Sequence, residues 1–326
     1  MKLPHRRHFL HLTAGAVALS AVPRLALAQA YPVRPVRLLV GFPPGGVTDV
    51  VARLIGPVLS ERLGQPFAVE NRPGASSNIA LEETVRAAPD GYTLFLVSAT
   101  NAFNETLYDN LHFSLARDMA PVASIGRDAF IMVVNPSFPA KSGAEFVAYA
   151  KANPGKVNMA TSGLGSASDL YGELFKSLAG VDLLAVHYRG VGQALPDLLS
   201  GRVDVMFFPL AGVVSYIKAG KLRALGVTTP TRREVVADVP PIGDFVKGYE
   251  GTDWTGIGAA ANTPPAVIAA LNKAVNAVLA DATFKARLAD LGVEPFLSTP
   301  AEFGTFIASY TEQWAKVIRA AGIKAD

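Results

Sequence analysis

The chain has 326 residues, half of them apolar, with 30 basic and 27 acidic side chains, five histidines and no cysteine. Its formal charge of +3 comes from the N-terminus: Lys2, Arg6, Arg7 and Arg24 precede residue 31, and without them 26 basic residues face 27 acidic ones. That near-neutral remainder excludes a basic bias toward nucleic acid or membrane surfaces, and the lack of cysteine excludes disulfides and a lipid anchor on cysteine.

Residues 1–30 read as an export signal. Lys2, Arg6 and Arg7 form a cationic start without an acid, and Leu10 to Val22 is mostly apolar but too short to span a bilayer as a stable helix. Arg6-Arg7-His8-Phe9-Leu10 looks like a twin-arginine signal; a general secretory signal with adjacent arginines fits the same residues. Ala26-Leu27-Ala28 and Ala28-Gln29-Ala30 are both A-x-A cleavage sites, so the mature chain is expected to begin at Gln29 or Tyr31. Pro264 and Pro265 break the best later candidate for a membrane span. The expected product is a soluble periplasmic protein.

Strand and helix patterns alternate from there, which predicts an α/β fold with parallel sheet. Val36 to Val40 reads as a buried strand. A helix follows from Val47, with Val50, Val51, Leu54, Ile55, Val58 and Leu59 on one stripe. Phe67 to Glu70 is a strand, Ile79 to Ala88 a helix and Thr93 to Ser98 a strand. Residues 99–120 read as irregular. A second series starts with a strand at Phe130 to Val134 and a helix at Gly143 to Ala152. Next come a strand at Val157 to Ala160, a helix at Ser166 to Leu178 and a strand at Leu183 to His187. A helix at Val191 to Leu199 and strands at Val203 to Phe208 and Leu222 to Val227 close the series. Thr255 to Ala260 is a further strand, followed by helices at Pro264 to Ala280, Ala282 to Leu291 and Pro300 to Ala320. The pattern predicts two lobes, residues 31–128 with 254–326 and residues 129–253. The chain would cross between them near Ile125–Ile131 and Gly251–Thr255.

The most informative turn is Gly41-Phe42-Pro43-Pro44-Gly45-Gly46, between the first strand and its helix. Bare amides at a helix N-terminus favour an anion, and since proline has no N–H the donors would be Gly45, Gly46 and Val47. An ordinary strand-to-helix turn fits the same pattern. No Gly-Lys-Ser/Thr follows, so this is not a P-loop, and G-x-G-x-x-G is absent. Asp49 in the first helical turn would repel a nucleotide phosphate, or simply complements the helix dipole.

Three more strand ends share this logic. Thr161-Ser162-Gly163-Leu164-Gly165-Ser166 again sets glycines and hydroxyls at a helix start, with Ser166 and Asp169 also suited to a capping box. Asn71 to Asn78 is the third, with Ser76 and Ser77, and Ser98-Ala99-Thr100-Asn101 the fourth. Ligands of open α/β sheets collect at such C-terminal strand ends. Arg189, in Tyr188-Arg189-Gly190, suits a carboxylate ligand or an exposed pair with Asp197. Asp204, inside an apolar strand, is a buried acceptor tying neighbouring turns or a site residue.

Catalytic signals are poor. Only His112 and His187 follow residue 30; H-x-x-x-H and G-x-S-x-G are absent, and no metal or cofactor is expected. An exported α/β enzyme and a ligand-sensing partner of a membrane signalling protein remain the competing classes.

Tyr31-Pro32, Pro35-Val36-Arg37, Pro43 to Gly46 with Asp49, Ala52 and Arg53, Glu70 to Ala75, and Pro89-Asp90-Gly91-Tyr92-Thr93-Leu94 stand in an order that resembles one known family. Ser162-Gly163 with Gly165-Ser166, Glu173-Leu174-Phe175, Tyr188 with Gly190, and Gly201 with Val203-Asp204 continue it. The chain is similar to the tripartite tricarboxylate transporter receptors, the Bug or TctC-type solute-binding proteins. The resemblance implies a Venus-flytrap fold, a monomer closing over a small carboxylate or amino-acid-like ligand held by loop amides and water, and delivery to membrane permease subunits. It places Phe42, Gly45, Gly46 and Asp49 at the ligand in one lobe, and Ser162, Gly163, Ser166 and Asp204 at the other wall. Ser76-Ser77 depart from the family's usual Gly-Gly, and Asp169 stands where histidine is common.

Overall fold

The computed structural model describes residues 31–324; the expected export signal at residues 1–30 lies outside the described residues. The first lobe opens with β1 (Val36–Val40), α1 (Val47–Leu63), β2 (Phe67–Asn71), α2 (Asn78–Val85) and β3 (Thr93–Ser98). β1 lies between β2 and β3, all parallel. Successive residues face opposite sides, so strands covered on both faces read as continuous apolar runs. Leu38 and Val40 pack with Val51, Ile55 and Leu59 of α1, whereas Leu39 packs on the other face with Leu81, Phe95 and Phe103.

Residues 99–120 are not irregular. They form α3 (Ala99–Leu107), α4 (Leu115–Asp118) and the start of β4 (Met119–Val134). Ala99, Ala102, Phe103 and Leu107 make the apolar stripe of α3, but Thr100, Asn101 and Asn104 are buried too, so the contrast that announces an amphipathic helix is lost.

β4 is one 16-residue strand that carries the chain from lobe to lobe. Up to Ala129 it runs antiparallel to β9 (Thr252–Ala260); from Phe130 it pairs with β7 (Val205–Pro209) and β8 (Arg223–Val227). Pro121 and Gly126 lie at two irregularities in its ladder, which hid the first half of the strand from its pattern. The second lobe adds α5 (Gly143–Ala152), β5 (Asn158–Thr161), α6 (Ala167–Ala179), β6 (Leu184–His187), α7 (Val191–Leu199) and α8 (Leu210–Lys218). Helix α8 was not expected. β5 lies parallel to β6 and β7, so each lobe joins three parallel strands to antiparallel ones.

The chain returns through β9 and ends in α9 (Pro265–Ala280), α10 (Ala282–Asp290), β10 (Val293–Pro295) and α11 (Pro300–Ala321). Among the described residues no single helix is long and apolar enough to cross a membrane; α9 and α10 are bent by 76°. α9 packs against α1 with Leu271, Val275 and Val278, while α11 lies against α3 and α6. One apolar core runs through both lobes, and its centre is aromatic. Trp314 of α11 meets Phe103 of α3 (4.9 Å between ring centroids) and Tyr171 of α6 (5.3 Å). Because β3 and β4 both run antiparallel to β9, the C-terminal ends of β1, β2 and β3 point toward the second lobe. The ends of β5, β6 and β7 point back toward the first.

Candidate functional site

In the first-lobe turn Gly45 adopts φ +90° and donates its N–H to Asp49 Oδ2 at 2.9 Å. Asp49 is buried, and its oxygens also accept from Arg53 Nε (3.0 Å) and Asn71 Nδ2 (2.8 Å). Asn71 Nδ2 reaches the Phe42 carbonyl as well (3.0 Å), and Asn71 Oδ1 accepts from Arg53 Nη2 (2.8 Å). Burial pushes the Asp49 carboxyl up, but hydrogen bonds from Arg53, Gly45 and Asn71 outweigh it and hold the group below its ordinary value. This corrects the expected roles of two residues. The Gly45 amide already serves Asp49, which leaves Gly46 and Val47 as donors. Asp49 is not a free carboxylate; it is the internal anion that shapes the turn.

The turn rests on its neighbour. A Cβ at Gly41 would stand 1.8 Å from Ser77 Oγ, so only glycine allows these two loops to meet. Ala75, Ser76 and Ser77 all have positive φ, at 44°, 49° and 76°. α3 clasps the loop from the other side: Asn104 Nδ2 donates to the Ser76 carbonyl (2.8 Å) and to Asn78 Oδ1 (2.7 Å), and Tyr108 OH donates to Ser76 Oγ (3.3 Å). Ser98 N–H donates to Asn101 Oδ1 at 3.0 Å, and Thr100 is buried beside it. Ser77 Oγ, Asn101 Nδ2 and Asn104 Oδ1 are buried without a hydrogen-bond partner from the protein. Such atoms cost about 1–3 kcal/mol each unless something satisfies them, so this wall can take a polar partner; a second group, Arg127 Nε, Asp128 Oδ1, Trp254 Nε1 and Thr255 Oγ1, lies at the crossing of β4 and β9. Asn78, Asn101 and Asn104 were not among the expected site residues. The spacing of Ser98 to Asn101 is a capping-box signal that marks the start of α3.

The second wall is Thr161 to Ser166. Ser166 caps α6 by accepting from the Asp169 amide (3.3 Å), which is half of the expected capping box. The Asp169 carboxylate instead accepts from the Gly165 N–H at 2.9 Å. Thr161 Oγ1 accepts from the Gly163 N–H (3.3 Å) and lies 2.8 Å from His187 Nδ1. The walls touch, since a Cβ at Gly165 would fall 2.7 Å from Leu107 Cδ1 of α3. Phe42, Ser76, Ser77, Gly163 and Gly165 thus belong to one run of contacts, with Ser162 half-buried at its rim.

Two expected residues lie elsewhere. Asp204 stands before the first residue of β7, at the end of the sheet away from the first lobe, where its Oδ2 accepts from the Asn158 N–H at 2.8 Å. It ties β5 to β7, the first of the two roles expected for it. Arg189 is exposed, and Asp197, its expected alternative partner, is engaged by Arg202 (2.6 Å) and Tyr188 OH (2.7 Å). Two surface hollows, of about 400 and 240 Å³, lie away from the glycine turns, one beside His112 and Arg117, the other behind the crossing beside Arg127 and Trp314.

The family model described as "Tripartite tricarboxylate transporter family receptor" matches residues 51–323. The chain belongs to that family. Protein BugT of Bordetella pertussis is 34% identical over 313 residues, covering 94% of this chain and 95% of its own. The structure of R. palustris Rpa4515 with adipate is 35% identical, with a TM-score of 0.84 over 90% of this chain and 99% of that one. MatC from Rhodopseudomonas palustris with bound malate is 32% identical, with a TM-score of 0.80 over 88% and 100%. The periplasmic binding protein BugD is 32% identical at a TM-score of 0.82, over 91% and 100%. The α/β two-lobed architecture is therefore that of these receptors.

Proposed function

We propose that the exported chain is a monomeric periplasmic receptor that captures a small carboxylate between its lobes and passes it unchanged to a membrane permease. One observation carries the ligand class: two glycine turns, one from each lobe, start helices at facing strand ends, with neutral amides and hydroxyls between them. Helix N-termini supply partial positive charge without a formal cation, which suits a small anion such as a carboxylate. Adipate and malate, bound by the two relatives, are both dicarboxylates. Asp49 has no oxygen free for a ligand ammonium, which favours a plain carboxylate over an amino acid. Residues 31–128 with 254–326 serve as one lobe and 129–253 as the other, a division supported by the change of β4's partners after Ala129. The ligand-contacting set is Gly46, Val47, Ser76, Ser77, Asn101, Asn104, Ser162 and Gly163.

Native mass spectrometry of the purified protein, followed by a thermal-shift screen of mono-, di- and tricarboxylates, amino acids and sugars, tests this reading. Stabilisation by small carboxylates is the expected result, with the ligand recovered unaltered after incubation. Stabilisation by sugars or nucleotides alone, or conversion of the ligand, would overturn it.

A further inference from the structure

The two glycine turns are built alike around a buried acid. Gly45 donates its N–H to Asp49 and Gly165 donates its N–H to Asp169, each to the residue four positions on and each at 2.9 Å. Both glycines are left-handed, with φ of +90° and +70°. Both acids sit in the first turn of the following helix and are 2% and 1% exposed.

Their countercharges differ. Asp49 is held by Arg53, four residues further along α1, and a guanidinium stays charged at any physiological pH. The matching position on α6 is an acid, Glu173, which pairs with Lys176 at 2.7 Å; Glu173 raises the Asp169 carboxyl and Lys176 lowers it, but neither contacts it. The group that faces Asp169 is His187, from the end of β6, with Nδ1 3.7 Å from Asp169 Oδ1. That oxygen is buried and accepts no hydrogen bond from the protein. His187 Nδ1 is also 2.8 Å from Thr161 Oγ1, the atom that accepts from Gly163. One imidazole therefore reaches both ends of the second turn, Gly163 through Thr161 and Gly165 through Asp169.

We propose that His187 is the positioning residue of the second-lobe turn, and that its protonation sets the geometry of Gly163 and Gly165 in the turn that carries Ser162 and Gly163 to the ligand wall. The role of that turn rests on the carboxylate-receptor reading above; the coupling of His187 to the turn does not. As imidazolium, His187 donates Nδ1–H toward Thr161 and gives Asp169 a cation, so the carboxylate stays ionised and grips the Gly165 amide. As neutral imidazole it leaves Asp169 a buried anion with one amide hydrogen bond, and the grip loosens. Burial already pushes the Asp169 carboxyl up, against the Gly165 N–H and His187.

The other charges around the pair are few. On α6 they are Glu173 and Lys176, paired with each other. Arg189 is exposed in the turn after β6, and Asp197 of α7 is engaged by Arg202 and Tyr188. On α3, which packs on the turn from the first lobe, Glu105 is engaged by the Leu115 amide at 2.6 Å. His187 is thus the side chain that links Thr161 and Asp169 beside the turn, and it is 39% exposed. An anionic ligand and an imidazolium stabilise each other, so carboxylate affinity should be higher at acid than at neutral pH, with proton uptake on binding.

The test starts without a ligand. NMR titration of the histidine rings follows His187 against His112, which lies in the other lobe. In Asp169→Asn the His187 midpoint should fall, since a carboxylate neighbour favours imidazolium. In the wild type the Gly163 and Gly165 amide signals should move with the His187 midpoint, and in His187→Gln that movement should vanish. An unchanged midpoint in Asp169→Asn, or glycine amides that ignore the titration, would overturn the proposal. Should Asp169→Asn fail to fold, the glycine amides of His187→Gln decide alone. Titration calorimetry with malate and adipate at about pH 5.5 and 7.5 then reads the consequence. Binding about threefold or more tighter at the lower pH, with the difference lost in His187→Gln, supports the proposal; equal affinity at both overturns the proton linkage. If neither these nor any other carboxylate binds while the ring and amides remain coupled, the receptor reading falls and the positioning role stands.

Discussion

Three consecutive left-handed residues without a glycine among them, Ala75, Ser76 and Ser77, are costly backbone. Each such residue carries roughly 1–2 kcal/mol that glycine would avoid. The expense is tolerated because Asn104 and Tyr108 clasp the loop and because Ser77 seals against Gly41. Ser76→Gly should stabilise the fold by about 0.5–1 kcal/mol, the released strain less the greater backbone entropy of glycine when unfolded. Chemical denaturation of the two proteins measures this, and a less stable variant would mean that the Tyr108–Ser76 bond outweighs the strain. Ser77→Gly is a different experiment, because it also removes the buried hydroxyl assigned to the ligand wall, and it should weaken binding. The doublet was legible in the sequence as a departure from Gly-Gly. Its backbone was not, because φ is imposed by packing against α3, an element that did not declare itself.

At the scale of elements, α3 and the second-lobe turn form a tight passage between the lobes. Gly165→Ala adds a methyl 2.7 Å from Leu107 Cδ1 and also places alanine at φ +70°. Gly180→Ala, at φ +62° with nothing within 4 Å, carries the backbone cost alone. Both variants should lose about 1 kcal/mol of stability from the left-handed backbone. Only Gly165→Ala should also lose ligand affinity, since its methyl pushes against α3. Calorimetric titration with malate or adipate, alongside thermal melts, separates the two costs. Equal affinities in the pair would show that the passage opens without penalty to binding. The element itself explains why residues 99–120 misread: a helix whose polar residues are buried by a site loses the periodic contrast from which helices are recognised.

The whole molecule is joined by β4 and β9, and its hinge is aromatic and acidic. Asp128 and Asp253 are register partners across these two strands. Burial pushes the Asp128 carboxyl up to about 7, against the pull of Arg233, and raises Asp253 as well, with the Asp128 charge adding to the effect. The folded hinge therefore keeps a proton that the unfolded chain releases from 3.8 upward. Folded protein binds more protons than unfolded between 3.8 and about 7, so this pair's contribution is best at the acid end and declines as pH rises through that window. Asp49 and Glu70 are lowered and act in the opposite sense, losing their contribution on acidification. Asp128→Asn should flatten the decline and raise the melting temperature above neutral pH. Melting curves from about pH 4 to 8 check it, and an unchanged slope would remove the pair from the hinge's energetics. Closure should register at the same place. The two tryptophans, Trp254 and Trp314, both lie in the aromatic core that spans the lobes. A saturating carboxylate should change their fluorescence and contract the molecule in small-angle scattering, because hinge motion is absorbed by a few residues at the crossings. No change in either would mean that ligand enters and leaves an already closed form.

The amino-acid order by itself determined the alternation of strands and helices, the glycine turns at strand ends and the family. Each of these is local: an apolar run, a helical stripe, or a glycine where the chain must turn left-handed. Only the tertiary structure decided which polar groups are free. Asp49 and Gly45 satisfy each other, Asp204 faces away at the far end of β7, and Ser77, Asn101 and Asn104 are brought together from separate segments. His187 meets Asp169 because β5 aligns β6 beside it and α6 packs over β5 and β7, a pairing across 18 residues with no periodic trace in the chain. Hydrogen-bond partners are chosen in space, and a buried group's chemistry follows from what remains after those partners are taken.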